Sequence, residues 1–316
     1  MKFIKKLLRS LQKSIKSKIF GDVYKRLDEQ KFVEANVFFG NRSQYYDKAK
    51  DLDEVNFKVF SQNGEDGIID FILYKLNIKI PKFIEIGVGD FSECNTRFIY
   101  RKNHPKGLIV DIIKNFSKKV SLVEETWKGG LITIEKKIDP TNINRVLSEN
   151  NFDNNIDLFS IDIDGIDYWV LKELPKNFSK ILVAEYNPYF GDKFHLTVPN
   201  IKEFNRTNYH YSELCFGCSL PALIELMEEK NMTFIGSNLF RNNAFFINNE
   251  YLKNFNLNKI DKNNLTKFTN ARFLESKDKN SKKNYLNRDK ILKEIQDCEV
   301  IDLQQNKKIK ISEILK

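Results

Sequence analysis

Short apolar runs alternate with stretches of helical period along the middle of the chain, from Phe57 to about Asn249. Seven runs read as strands buried on both faces: Phe83–Val88, Gly107–Ile112, Leu131–Ile134, Ile156–Ile163, Ile181–Tyr186, Thr233–Gly236 and Ala244–Ile247. Between them, Gly67–Leu76, Tyr168–Leu174 and Leu220–Lys230 place apolar residues at helical spacing. Strand alternating with helix predicts an α/β fold, a mostly parallel sheet with helices on both faces. Only Ser237–Asn243 separates the last two strands, too few residues for a crossover helix. They are therefore expected to form an antiparallel hairpin at one edge of the sheet.

Residues 21–56 read as a helical lead-in, and the tail as a helix near Asp289–Gln296 followed by a hairpin of Glu299–Leu303 and Ile309–Ser312. The expected division is 1–56, a central domain over 57–250, and an extension over 251–316. In the first segment Phe3, Ile4, Leu7, Leu8, Leu11, Ile15, Ile19 and Phe20 recur at helical spacing opposite lysines and arginines. Such a helix either lies in an anionic membrane interface or packs its stripe on the protein body or a second subunit. Lysines break the apolar run too often for a secretory signal, and no stretch reaches the ~18 residues of a spanning helix. A cytoplasmic protein is expected, in peripheral contact with the membrane's inner face if the helix takes the first course, and a homo-oligomer is compatible with the second.

Charge changes this picture in one respect. The chain of 316 residues carries a formal net charge of +9. Residues 1–20 contribute +7 and residues 251–316 another +7, leaving the middle at −5. A basic track for nucleic acid across the folded body is thereby excluded. Four cysteines (Cys94, Cys215, Cys218, Cys298) and three histidines show no zinc-site spacing, and reduced thiols are expected.

Candidate chemistry begins where the first strand ends in Glu85-x-Gly87-x-Gly89 and turns towards a helix. Ligands of open α/β sheets sit at such strand ends. Ser92 stands where a pyrophosphate loop would have its third glycine, which points to a nucleoside cofactor without phosphates, such as S-adenosylmethionine. Asp111 closes the next strand and is placed to accept both ribose hydroxyls, and Asp139 to meet the adenine amino group. Next, Asp162, Asp164 and Asp167 follow a fully apolar strand, and Glu185 and Asn187 follow its neighbour. Asp162, Glu185 and Asn187 offer hard oxygen ligands for Mg²⁺, Ca²⁺ or Mn²⁺. Otherwise Asp162 holds the cofactor's amino group while Asp164 and Asp167 cap the following helix. His195 and His210 are candidate bases for a hydroxyl proton, with Asp164 as a further candidate catalytic group.

These residues resemble class I S-adenosylmethionine-dependent methyltransferases, and more narrowly the FkbM-like branch associated with capsule and lipopolysaccharide synthesis. The resemblance rests on Phe60-Ser-Gln-Asn-Gly-Glu-Asp-Gly67, Phe83–Thr96, Asp162-Ile-Asp-Gly-Ile-Asp-Tyr-Trp169 and Glu185-Tyr-Asn-Pro-Tyr-Phe-Gly191. It continues through Tyr209-His-Tyr-Ser212, Phe216-Gly-Cys-Ser219, Gly236-Ser-Asn238 and Asn242-Asn-Ala-Phe-Phe-Ile247, about three-fifths of the chain. It implies a Rossmann-like fold with a seven-stranded sheet. It also implies that Gln62, Asn63 and Glu65 help hold the methionine end of the cofactor, that Glu85, Gly87 and Gly89 line it, and that Asp111 holds the ribose. The acceptor implied is a sugar hydroxyl on a nucleotide-activated sugar or surface glycan. The competing reading is a glycosyltransferase in which Asp162-x-Asp164 holds Mn²⁺ on a nucleotide sugar. It leaves Glu85-x-Gly-x-Gly, Asp111 and the closing hairpin unexplained. A third reading, a membrane-tethered binding protein without catalysis, would bind the cofactor without turnover.

Overall fold

The computed structural model describes residues 21, 23–38, 40–271 and 275–314. The amphipathic stretch expected over residues 1–20 lies outside them. The chain forms two compact units that divide between Lys48 and Ala49. In the first, residues 23–38 (α1) are helical and are followed by α2 (Arg42–Tyr46), with Phe38 stacked on Tyr45 at 5.6 Å.

The second unit is built on a seven-stranded sheet. Its strands are β1 (Phe83–Ile86), β2 (Gly107–Asp111), β3 (Ile132–Glu135), β4 (Leu158–Ile161) and β5 (Ile181–Glu185), then β7 (Met232–Ser237) and β8 (Asn243–Asn248). The order β3-β2-β1-β4-β5-β8-β7 makes a Rossmann-like arrangement closed by an antiparallel hairpin. β1 to β5 pair in parallel, whereas β8 inserts antiparallel between β5 and β7. The runs of Phe, Ile, Leu and Val that marked these strands are buried on both faces, as a helix-covered parallel sheet demands. β1 and β4 stop two residues before their apolar runs do, because Gly87 and Asp164 take positive φ and turn the chain away.

Helices α3 (Glu65–Lys75), α4 (Arg97–Asn103), α5 (Phe116–Val123), α6 (Ile143–Glu149) and α7 (Asp167–Glu173) connect or precede the parallel strands. α8 (Arg206–Tyr209) and α9 (Leu220–Glu229) lie between β5 and β7. Ser219 caps α9 by accepting from the Ala222 amide, and Pro221 sits in the first turn, where its missing N–H costs nothing. A second, three-stranded sheet joins the two-residue β6 (Leu196–Thr197) to the tail hairpin of β11 (Glu299–Asp302) and β12 (Lys307–Lys310). The tail adds α10 (Thr266–Thr269), a small β9–β10 hairpin (Glu275–Lys277, Lys283–Tyr285), α11 (Arg288–Glu294) and α12 (Ile311–Ile314). Ile291, Ile295, Val300, Ile309 and Ile311 of the tail share one apolar core with β1, β4 and β5. No helix among the described residues is long and apolar enough to cross a membrane. All four cysteines are buried free thiols.

The chain runs outwards through β1, β2 and β3 and then returns to β4 beside β1. The strand order therefore reverses between β1 and β4, which opens a crevice at their carboxyl ends.

Candidate active site

Sheet register brings the candidate residues into one row. Ile86 pairs with Val110 and with Ile161, and Ile161 with Ala184. One residue further, Gly87 therefore falls between Asp111 and Asp162, and Asp162 beside Glu185. Glu185 in turn pairs directly with Asn243. Residues in register across neighbouring strands share a face, so Asp111, Gly87, Asp162, Glu185 and Asn243 line the crevice in that order.

Gly87 takes φ +82°, and a Cβ there would lie 1.7 Å from the Asp162 carbonyl oxygen. Only glycine allows this approach, which draws the acids of β4 up against the β1 turn. Gly89, at φ +60°, would by contrast meet nothing within 4 Å, so the turn faces open space. The Gly89 amide donates to Asp111 Oδ2 and the Ile113 amide to Oδ1, each at 2.9 Å. A carboxylate offers about four lone-pair positions, so half-buried Asp111 keeps capacity for a ribose diol. The open turn and this acceptor suit a nucleoside-type cofactor. Ile112, 67% exposed beside Asp111, adds apolar surface that strand patterning alone passes over.

Other expected cofactor residues are placed less directly. Glu85 is buried with both oxygens engaged: Oε1 accepts from the Asn95 amide (2.8 Å) and Oε2 from the Thr96 amide (2.9 Å) and hydroxyl. Burial raises its pKa against these donors. Its carboxylate holds the loop after the glycine turn instead of lining the crevice, because that loop brings three donors onto it. Asp139 Oδ1 accepts from the amide and hydroxyl of Thr141, closing a turn before α6. Gln62 is exposed and Asn63 half-buried. Glu65 is fully buried, accepting from the Asn63 amide (2.8 Å) and from the side chains of Asn238 (2.7 Å) and Asn243 (2.8 Å). It thus ties the loop before α3 to the β7–β8 hairpin.

The acids of β4 and β5 do converge. Carboxylate oxygens of Asp162, Asp164 and Glu185 lie within 4.8 Å of one another. Burial pushes Asp162 up to about 8, with the charges of Asp164 and Asp167 adding. Burial, then the charges of Asp162 and Asp164, likewise holds Glu185 well above the carboxylate range. Glu185 Oε2 is buried and has no partner among the described residues. The cation facing this group is Arg206, which sequence reading missed because the polar stretch 205–208 has no periodic pattern. Its Nη1 pairs with Asp164 and its Nε donates to the Glu213 carbonyl, while the guanidinium lies 3.9 Å over the Phe216 ring. Burial opposes its charge, but Glu185 and Asp164 outweigh that and keep it protonated. Asp164 is thus an exposed ion-pair partner and not a helix cap, while Asp167 does hold the turn, accepting from the Ile163 (2.8 Å) and Gly165 (3.0 Å) amides.

Three further expectations need correction. Asn187 is fully buried and cannot serve as a metal ligand. Its Nδ2 donates to the Leu214 and Phe216 carbonyls, both at 2.9 Å, and its Oδ1 accepts from the Tyr189 amide at 3.0 Å. The position is consumed in anchoring the 214–216 loop. His195 pairs through Nδ1 with Glu225 of α9, because β6 carries it to the tail sheet. His210 Nδ1 meets the Ser212 hydroxyl at 2.6 Å, its ring lies 4.3 Å from Tyr211, and its charged neighbours are Glu294, Asp297 and Lys279. Burial lowers its pKa, against the opposing charges of Glu294 and Asp297. Neither imidazole is engaged with the acid cluster.

A family model described as "Methyltransferase FkbM domain" matches residues 33–211, more than half of the chain. Among solved structures, a protein assigned as a sarcosine dimethylglycine methyltransferase from Galdieria sulphuraria aligns at 15% identity (TM-score 0.34), over 54% of this chain and 62% of its own. The pyocyanin biosynthetic protein PhzM aligns at 10% identity (TM-score 0.35), over 56% of this chain and 53% of its own. An O-methyltransferase family protein from Burkholderia thailandensis aligns at 11% identity (TM-score 0.34), over 69% of this chain and 71% of its own. The chain thus spans less than two-thirds of the first two. No curated protein matches its sequence significantly.

Proposed function

The chain belongs to the FkbM methyltransferase family, and on that premise we propose that it moves the methyl group of S-adenosylmethionine onto a hydroxyl of a carbohydrate, carried on a nucleotide-activated sugar or a surface glycan. The observation that carries this reading is the row of acceptors at the strand ends. Asp111 suits a ribose diol, and the Asp162–Glu185 pair beside Gly87 suits a hydroxyl that must be held and relieved of its proton. When bound, the cofactor supplies a methyl group already activated by a sulfonium. The chain's own residues must therefore align the acceptor and take its proton.

Gly87 and Gly89 would admit the cofactor to the turn, and Asp111 would hold its ribose hydroxyls. Glu85, Asp66 and Glu65 would act through the backbone, each fixing a loop around that turn. Asp162 and Glu185 would face the acceptor, with the free Glu185 oxygen available on that side of the site. Arg206 would fix the outer rim by pairing with Asp164. His195 and His210 would position the loop and tail around the site. A glycosyltransferase built on Asp162-x-Asp164 would leave Asp111 and the open glycine turn without a task.

Calorimetry with S-adenosylmethionine and its demethylated product tests the premise. Micromolar binding of both, weakened at least tenfold by Asp111→Ala, is expected. Binding of neither, alongside Mn²⁺-dependent binding of a nucleotide sugar, would reverse the assignment.

A further inference from the structure

The acid cluster contains more acceptors than its surroundings satisfy. Glu185 and Asn243 face each other in register on β5 and β8, and both are buried, 7% and 5% exposed. Glu185 Oε2 and Asn243 Oδ1 each lack a hydrogen-bond partner among the described residues. The Asn243 amide is oriented by its other end, since Nδ2 donates to Glu65 Oε1 at 2.8 Å. That bond leaves Oδ1 as the free end, on the face of the sheet that carries Glu185. Two orphaned acceptors, side by side in the interior, call for a donor or a cation between them, and no described side chain supplies one. Asp162 and Asp164 close the same space, with oxygens of all three acids inside 4.8 Å. Oxygens bound to one ion at ~2.0–2.4 Å lie no further apart than that.

We propose that Asp162, Asp164 and Glu185, with the side-chain carbonyl of Asn243, form a site for a hard divalent cation of the Mg²⁺ or Mn²⁺ kind. The donor set is all oxygen and mostly anionic, which excludes soft-metal chemistry. Charge points the same way. Arg206 faces the three carboxylates, and its ion pair is made with the exposed Asp164, at the rim. The buried side, where Glu185 and Asn243 have their free oxygens, is left to the ion. Asn243 takes the place that the sequence assigned to Asn187, whose amide is locked to backbone.

The inference rests on the methyl-transfer reading for what the ion does, and on geometry alone for its presence. At this position a divalent ion would bind the acceptor's hydroxyl oxygen and make its proton easier to lose, so that water at the rim could take it. Acceptors with two neighbouring hydroxyls would chelate it and be preferred.

The full-length chain titrated with Mn²⁺ alone, followed by loss of the free-ion electron paramagnetic resonance signal, tests the site. One bound ion per chain is expected, with affinity reduced at least tenfold by Glu185→Gln and severalfold by Asn243→Ala. Asp164→Asn, at an exposed position whose positive φ asparagine also tolerates, is the control against misfolding and is also expected to weaken binding. No bound Mn²⁺, or equal binding by the wild type and all three variants, would overturn the site. Calorimetry with S-adenosylmethionine on the same samples separates the two ideas. Cofactor binding without an ion would remove the metal site and keep methyl transfer. Ion binding without cofactor would keep the site and remove methyl transfer.

Discussion

Asp66 gathers the amides of Val59, Phe60 and Ser61 onto one carboxylate oxygen, each at 2.7 Å, and so shapes the loop in front of α3. Its other oxygen is buried without a partner among the described residues. Burial outweighs the amides and raises its pKa to about 6. An acid whose folded value lies above its unfolded value stabilises the fold fully below the latter, near 4, and loses that contribution as pH rises through 6. Urea unfolding of the wild type is therefore expected to lose up to about 3 kcal/mol relative to Asp66→Asn between pH 4 and 7.5. At Glu185 the consequence is chemical. Glu185→Gln is expected to lower kcat by about 10²- to 10³-fold, the size of one well-placed acid–base or electrostatic group, while cofactor affinity stays within about threefold. Steady-state kinetics beside calorimetry read both numbers. Residue identity made Asp111, Asp162 and Glu185 visible because an acid directly after an apolar strand has few structural uses. The same reasoning overvalued Asn187 and His195, which are held by the Leu214 carbonyl and by Glu225, 27 and 30 residues further along the chain, and His210, which is held by Ser212 close by.

The central strands were legible as elements because burial on both faces leaves an unbroken apolar run. β6 has two residues and the β9–β10 hairpin is largely lysine, asparagine and serine, so neither carries a period to read. The most demanding junction is between β1 and β4. Gly87→Ala would set a Cβ against the Asp162 carbonyl and force an unfavourable φ on alanine. We expect it to cost at least about 3 kcal/mol, from backbone strain and overpacking together, and to abolish cofactor binding. Thermal unfolding and calorimetry would show both losses. A wild-type melting temperature with intact binding would mean that the two strand ends separate freely.

The tail belongs to the folded body by packing, since its isoleucines and Val300 share the core of the sheet and β11 pairs with β6. Truncation before Asn287 is expected to lower the melting temperature by at least about 10 °C or to leave the chain insoluble, because it uncovers the apolar surface beneath α11 and β11. The basic residues 1–20 make a different prediction. Their deletion is expected to weaken sedimentation with anionic vesicles while methyl transfer continues unchanged. Equal sedimentation of both forms would assign the apolar stripe to protein packing.

At this scale the division between chain and fold is plain. By itself the sequence determined the sheet, the glycine turn, the acids at the strand ends and an acidic body between basic termini, because each follows from local spacing and burial. Tertiary structure decided which of these groups are free. Strand pairing set Glu185 against Asn243, the 214–216 loop consumed Asn187, and Arg206 closed the rim. Whether a polar atom is spent on backbone or left for a ligand depends on neighbours distant in sequence, and only the folded chain brings those neighbours together.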